Sequence, residues 1–325
     1  MSVRQRRLVW VLRRIGLGVL TLLFVSIVVF SATQALPGDP AHAILGRYAT
    51  PALVRQLDLQ LHLNRPLYVQ YWDWLSGVVQ GNFGQSLAAR APVSSLLGPR
   101  IVNSLVLLLY VGAITIPLSI SIGTWGAVRR DRIGDRVTQA TFISVMALPD
   151  FVVATACVIL LATTVLSVLP AVSILSPGQS AFTAFSDIAL PVLSLLIISV
   201  PFQSRLVRAS MIEALESEYV QMARLRGVPE RRVIWRHALP NALVPAVQSM
   251  ALTLSYLLGG VVIIEFVFNY PGLGGLLDES IGNRDLPVIQ AVTLIFTAGV
   301  VLFNLTADIL TVYLTPKLRT AGGPR

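Results

Sequence analysis

Long apolar runs without charge alternate with short, arginine-rich segments along the whole chain. A helix that crosses a bilayer needs about 20 consecutive apolar residues, and six runs qualify as candidates: residues 15–36, 101–128, 137–165, 188–204, 239–264 and 286–307. The third run contains one charged residue, Asp150, and the fourth is short and contains Pro191 and Pro201. This pattern predicts an all-α integral membrane protein with six transmembrane helices.

The basic residues indicate which segments lie on the cytoplasmic side. Of the 25 lysines and arginines, 19 lie before the first run, between the second and third, between the fourth and fifth, or after the sixth. The positive-inside rule therefore predicts these cytoplasmic segments: residues 1–14, 205–238 and 308–325. It predicts these external segments: residues 37–100, 166–187 and 265–285.

The composition is that of a membrane protein. With 54% hydrophobic and 13% charged residues, the chain is more apolar than soluble domains are. The net charge of +9 favours contact with membrane lipid and acidic partners, and the sequence has no nucleic-acid-binding signature. The first run is longer than the apolar core of a typical signal peptide and no clean small-residue cleavage site follows it, so we predict that it is retained.

The sequence shows no motif for catalysis or for binding ATP. A Walker A motif needs Gly-Lys-Ser/Thr, whereas the single lysine, Lys317, stands between Pro316 and Leu318. The three histidines have no metal-binding spacing, and Cys157 is the only cysteine. We therefore predict that the chain is not an enzyme, that it binds no cofactor or metal of its own, and that its energy comes from outside it.

The predicted cytoplasmic loop between the fourth and fifth runs has more local order than a connector needs. Acidic residues precede Tyr219 while Arg224 and Arg226 follow it, which suits a helix dipole, and Gly227 can close that helix in the left-handed conformation. Pro229 fits the first position of a second helix. The loop is therefore predicted to be helix, break, helix. On this chemistry alone, a segment resting on anionic lipid is the leading interpretation.

Three further features have more than one interpretation. Asp150 follows Pro149 inside the third run and marks either a polar point on a substrate path or a helix start near an interface; Pro149 can also kink the helix. The aromatic cluster at residues 68–75 favours an interfacial helix over a ligand site. A proline and three glycines within residues 265–275 predict a tight turn.

Several segments resemble a known transporter family. YVQMARLRGVPERRVIWRHALPN, from Tyr219, is similar to the cytoplasmic EAA-type loop of ABC importer permeases. Three further pieces of the sequence resemble the B-type subunit of dipeptide/oligopeptide permeases. They are LPGDP from Leu36, RPLYVQYWDWL from Arg65, and EFVFNYPGLGGLL from Glu265 with NRDLP from Asn283. The resemblance covers nearly the whole chain and narrows the family to the peptide/nickel group.

The resemblance implies a fold, an activity and partners. The fold would be that of a type I ABC importer permease in a bacterial cytoplasmic membrane, with an external segment after helix 1. The chain would form half of a translocation pathway for oligopeptides or dipeptides, in a heterodimer with a homologous C-type permease. Two ABC ATPase subunits, or a fused one, would bind ATP and Mg²⁺, and an extracytoplasmic peptide-binding protein would deliver the solute.

The same resemblance supplies most of the candidate site residues. Contact with the ATPase subunits is expected at Glu218, Tyr219, Met222, Ala223, Arg224, Arg226, Gly227, Pro229 and Arg231. Candidates for the translocation path are Asp150, Glu265 and Phe268. The chain departs from the family pattern at Gln221-Met222-Ala223, in place of Glu-Ala-Ala, and at Thr315-Pro316-Lys317, in place of Asp-Pro-Arg. Asp150 also stands where a small polar residue is more common.

Two alternatives to a peptide permease stay open. The same machinery would serve equally for a nickel chelate, glutathione or another small solute. An ion-coupled secondary transporter belongs to a different class, and it predicts polar residues near mid-membrane together with related halves of the chain. No convincing internal repeat is visible in the sequence, and a proton relay is poorly supported because acids and bases within the runs are few.

Overall fold

The computed structural model describes residues 3–35, 50–60, 65–163, 166–174 and 181–314. Within these residues regular structure is helical, apart from one antiparallel bridge between Gln85 and Pro92. The predicted all-α class is therefore confirmed. The predicted motif at residues 36–40 and the departure at residues 315–317 lie outside the described residues.

The helices are numbered here in chain order. They are α1 (Val3–Ala35), α2 (Pro51–Gln60), α3 (Leu67–Val79), α4 (Val93–Val128), α5 (Ile133–Met146), α6 (Asp150–Cys157, extended by a π-helical segment, Val158–Thr163), α7 (Phe185–Glu216), α8 (Glu218–Leu225), α9 (Glu230–Arg232, extended by a π-helical segment, Val233–Ala238), α10 (Leu239–Val267), α11 (Leu273–Gly282) and α12 (Leu286–Leu314).

Several of these helices are long and apolar enough to cross a membrane. Those that qualify alone are Val9–Ala35, Val93–Val128, Phe185–Glu216 and Leu286–Ile309. Two bent pairs qualify together: Ile133–Met146 with Asp150–Thr163, and Glu230–Val247 with Leu252–Val267. The described residues thus contain four candidate spans, or six if each pair is one span. Leu17, Leu20 and Phe24 of α1 are exposed, as is typical of a helix whose solvent is lipid.

The third predicted span, residues 137–165, is not one straight helix. α5 ends at Met146, and α6 starts at Asp150 at an angle of 106° to it. Pro149 between them is extended, with φ −61° and ψ 146°, and a proline disfavours helical backbone at the residue before it. The kink expected at this proline is therefore a complete break.

The predicted boundary between the fourth span and the following loop, at residue 204, falls inside a helix. α7 continues through it to Glu216, and Pro201 is buried in the helix interior. Gln203, next to the boundary, is fully buried and donates a hydrogen bond to Thr253 of α10. Polar residues in this region therefore mark a contact between helices and not the end of one.

The predicted external loop at residues 265–285 is also largely helical. α10 continues to Val267, and α11 begins at Leu273 after an extended N-cap residue, Gly272. Gly274 and Gly275 lie in the first turn of α11, so the predicted turn is confined to residues 268–272. The glycines after the cap therefore belong to the helix and not to the turn.

The chain divides into two compact units. One contains Leu105–Tyr270 with the ends of α1 and α12, and in it α7 packs along α10 while α5 and α6 pack against α7. The other contains Gly16–Ser104 and Pro271–Ala298. Its apolar core comes from α4, α11 and α12, through Val93, Leu97, Leu273, Leu276, Val288 and Val292.

Candidate functional site

The segment between α7 and α10, residues 217–238, is called the α7–α10 loop below. The predicted helix before Gly227 is present as α8: α7 ends at Glu216, Ser217 is extended (φ −68°, ψ 150°), and α8 runs from Glu218 to Leu225. The Ser217 hydroxyl donates to the carbonyl of Ala214 at 2.5 Å. That bond satisfies a carbonyl near the end of α7, where helical partners run out.

Gly227 closes α8 in the left-handed conformation, with φ 73°, as predicted. Its N–H donates to the carbonyl of Arg224 at 2.9 Å, and the N–H of Val228 donates to the carbonyl of Ala223 at 3.2 Å. These two bonds form a Schellman motif, a common end for an α-helix. Pro229 then precedes α9 as its N-cap residue, one position earlier than predicted.

An ion pair bridges the turn at Gly227. The guanidinium of Arg224 donates from Nε to Oε2 of Glu230 at 3.1 Å and from Nη2 to Oε1 at 2.6 Å. This carboxylate raises the pKa of Arg224 above its ordinary value. Both side chains are solvent-exposed, so the pair contributes at most about 1 kcal/mol to stability. Arg224 is thus engaged within the loop itself.

Apolar side chains hold the loop against the ends of the neighbouring helices. Val220, Ala223 and Val233 are buried in a cluster with Met211 of α7 and Leu239 of α10. Full burial of a valine-sized side chain stabilises by about 1.5–3 kcal/mol. The loop is therefore a packed part of its unit, and Ala223, a predicted contact residue, lies in this core.

The opposite face of α8 exposes large apolar side chains. Tyr219, Met222 and Leu225 are 44%, 58% and 82% exposed, and their three-residue spacing puts them on one face of the helix. We call these three residues the α8 stripe. Tyr219 and Met222 were predicted site residues, whereas Leu225 was missed.

The predicted charged residues of the loop are exposed around this stripe. Glu218, Arg226 and Arg231 all lie on the surface. Arg231 also lines a surface cavity of about 490 Å³ together with Pro229, Arg232, Trp235 and Arg236. The loop therefore presents an apolar stripe and a basic surface.

An ion pair between a partly buried arginine and a buried carboxylate joins α5 to α7. The guanidinium of Arg208 donates from Nε to Oδ1 of Asp135 at 2.7 Å and from Nη2 to Oδ2 at 2.6 Å. The N–H of Asp131 adds a third bond to this carboxylate, at 3.1 Å. The Asp135 side chain is 2% exposed. Two-point pairing of this kind fixes the orientation of both groups.

A cavity of about 610 Å³ lies in the same unit, among α5, α6, α7 and α10. Its walls are mostly apolar, and Asp150 is the one charged residue among those that line it. The hydroxyl of Tyr256 on α10 lies 3.3 Å from both carboxylate oxygens of Asp150. The structure thus places this predicted path residue at a cavity.

Comparison with known proteins decides the family. Residues 116–320 match the family described as "Binding-protein-dependent transport system inner membrane component", and residues 7–97 match its N-terminal counterpart. The chain belongs to this family. The permease is thus a multi-pass inner membrane component of an importer, which confirms the predicted class.

Named relatives cover almost the whole permease. The glutathione transport system permease proteins GsiC of Salmonella choleraesuis (strain SC-B67), Salmonella typhi and Escherichia coli (strain K12) are each 36% identical to it over 315 residues. Each alignment covers 95% of this chain and 98% of the relative.

The other two path candidates are buried in the permease. Glu265 and Phe268 have no exposed surface, and neither is among the residues that line the 610 Å³ cavity. The carbonyl of Phe268 accepts a hydrogen bond from the N–H of Ser173 at 2.9 Å. Of the three candidates, Asp150 alone lines this cavity.

Sequence reasoning missed four residues of the sites in the permease. Tyr256 lies within an uncharged run, and nothing in that run distinguishes a cavity residue from a lipid-facing one. Asp135 and Arg208 are 73 residues apart, so no local pattern connects them. Leu225 was detectable, because it continues the three-residue spacing of Tyr219 and Met222.

Proposed function

We propose that this chain is one transmembrane subunit of an ATP-driven ABC importer for peptides. It forms half of a translocation pathway and couples through the α7–α10 loop to separate ATPase subunits, which bind ATP and Mg²⁺. The observation that carries this proposal is the α8 stripe: three exposed apolar side chains on a helix that is packed firmly against α7 and α10. A few side chains that a partner buries, tyrosine prominent among them, dominate the affinity of protein interfaces.

The packing of the loop supports a mechanical role. The buried cluster joins the loop to the ends of α7 and α10, and the same two helices contribute Phe202 and Tyr256 to the walls of the 610 Å³ cavity. A short helix that moves as a rigid body moves the helices packed against it. ATP-driven closure of the ATPase subunits would therefore displace the cavity walls.

The remaining assignments follow from the family and the resemblance. The partners would be a homologous C-type permease, two ATPase subunits or a fused one, and an extracytoplasmic binding protein. The named relatives are glutathione permeases, and glutathione is itself a small peptide. Glutathione is therefore the first solute to test within the peptide class, and the binding protein would set much of the selectivity.

The test is a paired substitution on the loop. We expect Met222→Ser with Leu225→Ser to weaken the hold on the ATPase subunits, because burial of each side chain at an interface is worth about 1.5–3 kcal/mol, at least tenfold in affinity. The measurements are retention of the ATPase subunits during purification and ATP-dependent peptide uptake into vesicles. Ile133→Ser is the matched control, since Ile133 is 81% exposed, like Leu225 at 82%.

Normal retention and uptake in the double variant would overturn the coupling role. If the loop instead rests on anionic lipid, uptake would respond to loss of Arg231 and Arg232 and to removal of anionic lipid, and not to loss of the stripe. An ion-coupled transporter would be recognised by uptake that ignores ATP and follows an imposed ion gradient.

A further inference from the structure

We propose that the cavity at Asp150 binds the protonated amino group of the transported solute, which makes Asp150 a specificity-determining residue. The permease would then favour solutes with a free ammonium group over the same solutes with the nitrogen acylated. This inference rests on the proposed function and deepens it by naming the chemical class that the path accepts.

The first argument is that Asp150 has spare capacity to accept hydrogen bonds. An ionised carboxylate accepts about four, and within the described chain its hydrogen-bond partner is the Tyr256 hydroxyl, at 3.3 Å from each oxygen. Among the ion pairs formed by the described residues, none includes Asp150. A negative charge in apolar surroundings is costly unless a cation accompanies it. A solute ammonium would supply that cation.

The second argument is that the surrounding backbone is shaped around the carboxylate. A Cβ atom at Gly260 would lie 3.2 Å from Oδ2 of Asp150, so the absence of a side chain lets the carboxylate approach α10. Asp150 is also the first residue of α6, and the positive end of a helix dipole favours an anion. The carboxylate of Asp150 is thus stabilised by the protein on one side, and on its other side it lines the cavity.

The third argument is the composition of the walls. Phe151, Phe202 and Tyr256 line the cavity together with Asp150, and aromatic faces attract ammonium groups. The volume of about 610 Å³ falls in the range of about 300–1,000 Å³ found for small organic ligands. A carboxylate among aromatic rings therefore suits an ammonium group with apolar substituents, such as the amino end of a short peptide.

The alternative is that Asp150 only stabilises the start of α6. Asp187 offers a matched control, because it occupies the first turn of α7 but does not line the cavity. The substitution Asp→Asn removes the charge at either position and keeps the shape. A loss of solute binding that comes only from a weaker helix start would appear in both variants.

The experiment measures binding to the permease complex in nanodiscs without its binding protein, so that the selectivity of that protein does not contribute. The probes are radiolabelled phenylalanyl-alanine amide and its N-acetyl form. A hydrogen-bonded ion pair with Asp150 is expected to give a preference of about 10- to 100-fold for the free amine. Asp150→Asn should abolish this preference, while Asp187→Asn should retain it.

Equal affinity of the wild-type complex for both probes, no binding of either at millimolar concentration, or a preference that survives in Asp150→Asn would each overturn the inference. The proposed function is tested separately, by ATP-dependent uptake through the complete complex. ATP-driven uptake without an ammonium preference would refute the role of Asp150 but would leave the proposed function in place. An absence of ATP-driven uptake would refute the importer itself.

Discussion

The carboxylate of Asp285 ties together residues that are almost 200 positions apart in the chain. It accepts hydrogen bonds from the hydroxyl of Ser86 at 2.5 Å and from the N–H groups of Leu87 and Ala88 at 3.1 and 3.2 Å. Asp285 itself is 2% exposed. The segment around Ser86, which the sequence predicts to be external, is therefore anchored by this side chain in addition to its own bridge between Gln85 and Pro92.

Removal of this carboxylate should lower the free energy of unfolding more than a surface substitution does. A buried donor that loses its partner costs about 1–3 kcal/mol, so we expect Asp285→Ala to lower the free energy of unfolding by at least about 2 kcal/mol. Unfolding of the purified permease in detergent is the measurement. Asp278→Ala is the control, because Asp278 is exposed on α11 and such changes stay within about 0.5 kcal/mol. Equal effects of the two substitutions would contradict this role.

At the scale of whole helices, apolar runs predict that a helix exists better than where it ends. The run at residues 188–204 indicated a short span, yet α7 extends to Glu216, and Gln203 within it is buried and bonded to Thr253 of α10. Nothing in the sequence predicted the break at Ser217, since serine also occurs inside helices. In contrast, Gly227 was predictable, because left-handed backbone favours one residue type.

The pairing between helices was the part that the sequence did not reveal. Arg208 appeared in the sequence only as one basic residue among the seven of its loop, and Asp135 was not singled out. The structure shows their side chains joined by two hydrogen bonds, with the carboxylate buried. Partners 73 positions apart become visible only when α5 and α7 are placed in contact.

We expect this pair to be strongly coupled. Removal of one partner of a buried ion pair costs about 3–5 kcal/mol, because the other charge is left without a counter-ion. Asp135→Asn and Arg208→Gln should each approach this cost, and the double variant should cost much less than their sum. The measurement is a double-mutant cycle on the free energy of unfolding.

An exposed pair between nearby segments supplies the control for that cycle. Arg130 bonds to Glu216, and their side chains are 49% and 65% exposed. The same cycle on this pair should give a coupling of about 0–1 kcal/mol. Additive effects at Asp135 and Arg208, or equal coupling in the two cycles, would show that burial does not strengthen the first pair.

For the whole molecule, the proposed direction of transport depends on which side each segment faces. The arginine distribution predicts that the α7–α10 loop is cytoplasmic and that residues 37–100 are external. A coupling role for the loop requires this orientation, because ATPase subunits act in the cytoplasm. A helical membrane protein keeps the same internal packing in either orientation, so labelling from one side of the membrane is the direct test.

The single cysteine makes the orientation directly measurable. Cys157 is buried, and Cys157→Ala would leave a chain without thiols. Into this background we would place Ala89→Cys or Gln221→Cys, both at exposed positions. A membrane-impermeant maleimide should label the thiol at position 89 in sealed spheroplasts and the thiol at position 221 only after lysis. The opposite order would invert the topology, and labelling of both in sealed spheroplasts would put the loop outside, where no ATPase subunit can drive it.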